Sequence, residues 1–412
     1  MFACLLLVAI GLSAQQFDKY FDGRSLRLDY VLAGDNHSQE IYFQQAYVTP
    51  QWAGRRARLA EKPLNGNGQI TLRASGTDSI LYVHTFSTLF QEWQATEEAT
   101  RVRRAFDTSY LVPMPRRKVD ITVTLTDFHN QVVASLTHTL DPTDILIRPL
   151  GANGISHRYV WKGKGEASAP DFAGCVDLAI IAEGYASNEM DKFHKDCQRV
   201  ADALFAHEPF TSMKSRFNVV AVATESAKSG PSVPHYGLWR QTPAGTHYNT
   251  FYSERYLMTS EMHRIYDLLN GIPFEQIIVL VNSSTYGGGG IYNQLTVTTS
   301  DHPTFRPVLV HEFGHAYGGL GDEYFYDDGY ETIYPADTEP WEPNLTTLID
   351  FQSKWADMLS VPGVGVFEGG GYQSKGVFRP AQDCRMKTNE AKNFCPVCSR
   401  ALLRITDFYT SH

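Results

Sequence analysis

The residues able to do chemistry crowd into one run, Val308-Leu-Val-His311-Glu312-Phe-Gly-His315-Ala-Tyr-Gly318-Gly-Leu-Gly321-Asp322-Glu323-Tyr324. On an α-helix, side chains four residues apart share a face, so His311 and His315 point together and can hold one Zn²⁺. Glu312 follows the first histidine directly. It projects beside such a metal rather than onto it and can accept a proton from a metal-bound water, the general-base position of a metallopeptidase. The apolar run from Phe305 to Val310 supplies a buried back for the helix, and Gly318 with Gly319 ends it.

A catalytic zinc usually takes three protein ligands and leaves one position for water. In the metzincin pattern H-E-x-x-H-x-x-G-x-x-H, the glycine lets the chain turn back and the third ligand follows it. Gly318 stands at the glycine position, but the expected ligand position is Gly321, which has no side chain. Asp322 and Glu323 come one and two steps late. An extra residue in the Gly318-Gly319 turn absorbs one step, so Asp322 is the first choice for third ligand and Glu323 the second. Near the C-terminus, Asp383-Cys384-Arg385-Met386 precedes Phe394-Cys395-Pro396-Val397-Cys398 and a helical run, Ser399 to Ile405. Metzincins carry a methionine on a tight turn beneath the zinc, followed by a final helix, and Met386 sits where such a turn would be.

His311-Glu-Phe-Gly-His315, Gly-Leu-Gly-Asp-Glu-Tyr324, Glu342-Pro-Asn, Phe378-Arg-Pro and Phe394-Cys-Pro-Val-Cys398 together resemble the IgA-peptidase family of metzincin metallopeptidases. The resemblance runs from about Asp171 to the C-terminus. The chain ahead of it is similar to the N-terminal β-domain that accompanies this family in Bacteroides-type bacteria. The resemblance implies zinc and peptide-bond hydrolysis, and therefore a protein or peptide substrate. It does not imply that immunoglobulin A is cut.

The elements that must position these residues follow from periodicity. From Phe17 to about Leu150, short runs such as Leu26-Arg-Leu28-Asp-Tyr30, Ile70-Thr-Leu72, Ile80-Leu-Tyr-Val83 and Val119-Asp-Ile121-Thr-Val123-Thr-Leu125 turn one face inward at period two. His129-Asn130 then returns the chain into Val132 to Leu136. Residues 15–150 are expected to form an antiparallel β-sandwich. The stretch 151–170, rich in glycine, small residues and charge, reads as a linker. Beyond it the apolar runs become continuous. Val176 to Ala182, Val219 to Ala223 and Gln276 to Val281 read as buried strands, with helices over Asn188 to Phe205 and Ser260 to Leu269. Such strands predict a largely parallel sheet covered on both faces. The fold class is therefore α+β overall: an N-terminal antiparallel β-sandwich, then an α/β metzincin-like metallopeptidase domain over 171–412.

Gly287 to Gly290 lead into Ile291 to Thr298 ahead of the histidine helix. In metzincins the strand before the zinc helix is an exposed edge on which substrate adds itself as a strand. The glycines suit either a flexible flap or a passage where another backbone comes close. Ser226 to Tyr256 reads as loop, and His235 and His247 within it match no common ligand spacing. Tyrosines, acids, prolines and tryptophans between Tyr324 and Tyr372 suit one wall of a cleft, with Tyr372 a candidate oxyanion donor.

The 412 residues are 43% hydrophobic, 12% aromatic and 20% charged, with a formal net charge of −9, so core is ample and nothing favours nucleic acid. Phe2 to Ala14 is apolar and ends in Leu12-Ser13-Ala14, a small-residue site suited to signal peptidase, although no lysine or arginine precedes it. Residues 1–14 are expected to be a cleaved signal, and the mature chain to be periplasmic, at the cell surface or secreted. No segment is long enough to span a membrane. Oligomeric state is left open.

Export favours disulfides among the five cysteines left after signal removal, and Cys384 with Cys395 or Cys398 would staple the methionine turn to the last helix. Cys175 and Cys197 fall at different heights, about 26 Å back along a strand against about 14 Å along a helix. The rival, a structural zinc on Cys384, Cys395 and Cys398, lacks a clear fourth ligand.

The function these residues predict is a secreted zinc endopeptidase, with zinc on His311, His315 and Asp322 and with Glu312 as general base. Two alternatives stay open. One is an exported, non-catalytic binding protein with a degenerate protease-like cleft. The other is a zinc aminopeptidase or gluzincin whose third ligand is a later glutamate, Glu331 or Glu342.

Overall fold

The computed structural model describes residues 17–166, 169–172, 174–326 and 333–411. The expected signal at 1–14, with its Cys4, and the alternative ligand Glu331 lie outside the described residues. The fold is α+β. Its N-terminal part contains β1 (Phe21–Gly34), β2 (Gln39–Thr49), β3 (Gly68–Ala74), β4 (Ile80–Phe86), α1 (Leu89–Gln94), β5 (Arg104–Pro115), β6 (Val119–Thr126), β7 (Val132–Leu140) and β8 (Arg148–Pro149). These strands make two sheets, β5-β1-β2-β8 and β4-β3-β6-β7, antiparallel apart from the short β2–β8 pairing. Period-two sequence produces them directly: in β6, Val119, Ile121, Val123 and Leu125 are buried while the residues between them are half-exposed. Leu26, Leu28, Tyr30 and Leu32 of β1 share the core with Ile70, Leu72 and Ile121 of the second sheet.

The second part is a six-stranded sheet. Its strands are β9 (His157–Trp161), β10 (Val176–Glu183), β11 (Phe217–Val222), β12 (Gln276–Val281), β13 (Gly288–Ile291) and β14 (Leu295–Thr299), in the order β13-β14-β12-β10-β11-β9. The four central strands are parallel and every residue of β10, β11 and β12 is buried, as their continuous apolar runs demand. Both edge strands run antiparallel. One of them, β9, falls within the stretch read as a linker. Its aromatic and β-branched residues, Tyr159, Val160 and Trp161, are short enough to be masked by the glycine and charge around them. At the other edge, the expected strand from Ile291 to Thr298 is a hairpin, because Asn293 turns the chain with φ +53° between β13 and β14.

The helices α2 (Met190–Phe205), α3 (Met262–Leu268), α4 (Phe305–Gly318) and α5 (Pro396–Thr410) complete this half, with β15 (Phe325–Tyr326), β16 (Phe367–Gly370) and β17 (Tyr372–Arg379) forming a small sheet beside the cleft. Helix α4 carries the histidines. Phe305, Leu309, Val310, Phe313 and Tyr317 anchor it in the core, and it stops at Gly319, whose φ of +58° is the left-handed cap a glycine adopts without strain.

The two halves are joined by specific polar contacts as well as by apolar packing. Arg27 of β1 is buried against the carboxylate of Asp29 at 2.7 Å and reaches Asp267 of α3 at 2.6 Å and the His263 carbonyl at 2.9 Å. A planar, forked guanidinium suits such a multiply bonded position. The β13–β14 hairpin is held from the same side: Asn293 Nδ2 donates to the Thr85 carbonyl at 2.7 Å, Gln294 Nε2 to Thr108 Oγ1 at 3.1 Å, and the Ser87 amide to the Tyr292 carbonyl at 2.9 Å. The β-sandwich thus braces the edge of the sheet that lies over the histidine helix.

Candidate metal centre and cleft

His311 and His315 lie one helical turn apart, and their Nε2 atoms are 3.0 Å from each other. Each ring is fixed from behind. His311 Nδ1 lies 3.0 Å from the Arg385 carbonyl and His315 Nδ1 2.5 Å from the Leu320 carbonyl. A carbonyl only accepts, so both Nδ1 atoms are the donors and both Nε2 atoms of the neutral rings present lone pairs to the centre. Asp322 completes the group, with Oδ1 3.0 Å from His311 Nε2 and 3.2 Å from His315 Nε2.

Two imidazole lone pairs and a carboxylate oxygen facing one another form a group that could hold a cation. The spacing suits zinc: ligands at about 2.0–2.1 Å in a tetrahedron stand about 3.3–3.4 Å apart, close to the separations here. Asp322 and Glu323, the two sequence candidates for third ligand, face opposite ways, because neighbouring residues of an extended segment point to opposite sides. Asp322 faces the histidines, whereas Glu323 turns away and meets Cys398 Sγ at 3.0 Å.

The extra step in the chain is built by Gly321. A Cβ there would lie 2.5 Å from Leu345 Cδ1, and the Gly321 backbone is clamped by Asn344, which accepts from its N–H at 2.8 Å and donates to its carbonyl at 2.9 Å. The Glu342-Pro-Asn motif thus positions the turn. Glu342 itself accepts from the Tyr334 hydroxyl at 3.0 Å. The Tyr372 hydroxyl donates to Asp322 Oδ2, and its backbone, in a left-handed conformation (φ +67°), donates an N–H hydrogen bond to the Tyr324 carbonyl at 3.1 Å. Tyr372 is therefore placed to hold the Asp322 carboxylate in position. Since such supporting bonds are worth roughly 10–100-fold in metal affinity, Tyr372→Phe is expected to weaken zinc binding by about that factor without unfolding the chain. Competition with a chelator of known affinity measures it; unchanged affinity would show the bond to be incidental.

Glu312 leans to the cleft side, its carboxylate within 4.8 Å of the ligand atoms of both histidines. Burial raises its pKa, with partial relief from His311 and His315. For His315, burial opposes the charged ring, but Asp322 and Glu312 outweigh it and raise the pKa to about 9 in the metal-free chain. Burial likewise opposes ionisation of Asp322, and the two histidines overcome it, holding that carboxyl far below its usual range. A proton on His315 thus competes with a metal for the centre. The sign follows: below about pH 9, zinc must displace that proton, so apparent affinity is expected to fall about tenfold for each unit of pH lowered. Zinc titrations at several pH values check this, and a flat profile would contradict it.

Met386 is buried beneath α4. A Cβ on Gly314 would come 2.7 Å from its Sδ, and the Met386 carbonyl accepts from the Glu323 amide at 2.8 Å. The preceding residue of the same turn, Arg385, supplies the carbonyl that orients His311. Over the opposite side runs β13, the outer strand of its sheet. Its glycines are a passage for backbone: a Cβ at Gly290 would fall 2.2 Å from the Glu312 carbonyl oxygen, and one at Gly288 3.1 Å from the Glu312 side chain. Tyr256 bridges to Gly288, capping one end of that edge.

These residues open onto a cleft of about 780 Å³ lined also by Arg255, Tyr286, Tyr324, Tyr326 and Tyr334. The β-sandwich contributes a wall, including Asn67, Thr88 and Glu92. Glu92 accepts from the Tyr256 hydroxyl, and burial raises its pKa to about 7. Sequence reasoning missed Glu92, Tyr256 and Arg255, since nothing in their local spacing marks them. His235 lies away from the centre, bonded to Asn249 Oδ1 at 2.7 Å, and His247 Nδ1 is bonded to the Tyr248 carbonyl at 2.7 Å.

The expected disulfides are absent among the described residues: Cys175, Cys197, Cys384, Cys395 and Cys398 are all free. Cys384 and Cys398 sulfurs stand 3.8 Å apart, against about 2.05 Å for a bonded pair. The three C-terminal cysteines gather, unbonded, around a buried carboxylate, Glu323.

Comparison with known families gives the class first. Residues 167–363 and 360–406 match the family model described as IgA Peptidase M64, which makes the chain a peptidase. Residues 16–137 match the one described as Peptidase M64 N-terminus. With both halves matched over most of their length, the chain belongs to the IgA Peptidase M64 family. No curated protein matches it.

Proposed function

We propose that this peptidase is a zinc-dependent endopeptidase in which His311, His315 and Asp322 hold Zn²⁺ and Glu312 is the general base. The observation that carries the reading is the convergence of the two Nε2 atoms and Asp322 Oδ1 within 3.0–3.2 Å, with both Nδ1 atoms already committed. Zinc bound there supplies a Lewis acid that polarises the scissile carbonyl and acidifies a water. Glu312 accepts the water's proton and passes it to the leaving amine; its raised pKa moves it toward the range in which a carboxylate serves as both base and acid. Tyr372 holds Asp322, and Arg385 and Leu320 carbonyls hold the histidines, so no ligand has to reorganise during turnover.

The outer strand Gly288–Ile291, running past Glu312, suits an extended peptide added as a further strand, which would bring an internal peptide bond to the base. A cleft of about 780 Å³ walled by both halves of the chain supports internal cleavage over trimming from an end. The displaced third ligand is the one feature favouring a non-catalytic binding protein, and the approach of Asp322 Oδ1 to both histidines supports the catalytic reading over it. Export is part of the proposal and rests on the apolar run Phe2 to Ala14; among the described residues no helix is long and apolar enough to cross a membrane. Removing metal with a chelator is expected to abolish cleavage of an unfolded protein substrate, and added zinc to restore it. Cleavage that persists after complete metal removal would exclude zinc from the reaction.

A further inference from the structure

Glu323 is sealed from solvent and points into a closed chamber with Cys384, Cys395 and Cys398. One donor atom from each of the four residues lies within 4.8 Å of all the others. The chamber joins three distant segments: the strand-like stretch after α4, the Met386 turn and the start of α5. Tetrahedral zinc with Zn–S near 2.3 Å sets sulfur atoms about 3.8 Å apart, which matches the Cys384–Cys398 separation of 3.8 Å. The ligands are also backed as anions need to be. The amides of Met386 and Cys395 point at Cys384 Sγ at 3.5 and 3.2 Å, the Cys398 amide points at Cys395 Sγ at 3.5 Å, and Asn344 Nδ2 donates to Glu323 Oε1 at 3.0 Å. The second carboxylate oxygen, Glu323 Oε2, is buried with no hydrogen-bond partner, a costly state for a carboxylate unless a cation meets it.

We propose that Glu323, Cys384, Cys395 and Cys398 form a second zinc site, structural in role. It supplies the fourth ligand that the cysteines alone lack, and closed coordination by four protein groups is the mark of a structural zinc. Two guanidinium groups act on the cluster electrostatically, Arg379 through Glu323 and Arg385 through Cys384, offsetting its negative charge. Its consequence reaches the cleft, because Glu323 is the neighbour of Asp322 and Cys384 the neighbour of Arg385, whose carbonyl orients His311. Glu323 and the cysteines are positioning residues for the histidine centre.

The test uses the full chain and its His311→Ala/His315→Ala variant, loaded with Zn²⁺ or Co²⁺. The parent is expected to hold two equivalents of zinc and the variant one. The cobalt-loaded variant should show the intense near-ultraviolet sulfur-to-metal absorption of a thiolate site, and Cys398→Ser and Glu323→Gln should each weaken that metal's binding in the same background. Should the histidine variant fold poorly, cobalt in the parent reports the same band. One equivalent in the parent that is lost in the histidine variant, or a disulfide among the three cysteines found by alkylation and mass spectrometry without reduction, would overturn this site while leaving the catalytic reading intact. One equivalent retained with the sulfur band would support this site and overturn the catalytic one.

Discussion

Glu312→Gln is expected to lower turnover by about 10²–10⁴-fold, the contribution of a positioned general base, while zinc stays bound. Glutamine has the shape of glutamate, and burial already disfavours the charged form of this side chain, so the exchange costs the fold little. It supplies no basic oxygen able to take a proton from water. The carboxylate has no evident structural duty either: it lies against the Gly288 passage and faces the cleft. Steady-state cleavage and zinc content of parent and variant, measured together, separate chemistry from metal loss. Near-parental turnover would remove Glu312 from the role of base.

Asp322→Ala is expected to lose one equivalent of zinc per chain and, with it, measurable turnover. The reason is local. Without the carboxylate, His311 and His315 keep two lone pairs 3.0 Å apart and no anion to balance a dication, and two ligands are too few for a catalytic zinc. The Tyr372 hydroxyl loses its acceptor in the same step. Glu342→Ala serves as the comparison, because the gluzincin alternative would give the third-ligand role to Glu342, whose carboxylate here accepts from the Tyr334 hydroxyl. Zinc content by elemental analysis reads both variants. Loss in Glu342→Ala with retention in Asp322→Ala would reverse the assignment.

The histidine helix was legible because its chemistry is local: period 3.6 fixes His311 beside His315, and Gly319 caps the helix where the chain must turn. The buried strands were legible for the same reason, since continuous apolar runs admit few other states. Counting the extra residue named Asp322 and Glu323 as candidates, but that Asp322 faces the histidines and Glu323 faces away depends on the direction in which an extended segment places each side chain. What stayed hidden depends on long-range closure. Glu92 enters the cleft from helix α1, some two hundred residues upstream, and the packing of Arg27, Asn293 and Gln294 across the two halves helps bring it there. The disulfides that export favours by composition are not found among the described residues, where Cys384, Cys395 and Cys398 gather around the buried Glu323 from segments that local spacing does not connect. β9 was missed because its five residues carry too little period to stand out beside Gly163 and Gly165.

The most direct measurement is a map of new amino termini. An unfolded protein is incubated with the zinc-loaded parent and with His311→Ala/His315→Ala, and the products are sequenced by mass spectrometry. Cleavages at internal peptide bonds, present with the parent and absent with the variant, are the expected result. An intact substrate, trimming from the ends alone, or the same internal cleavages with both proteins would contradict a zinc endopeptidase built on this histidine pair.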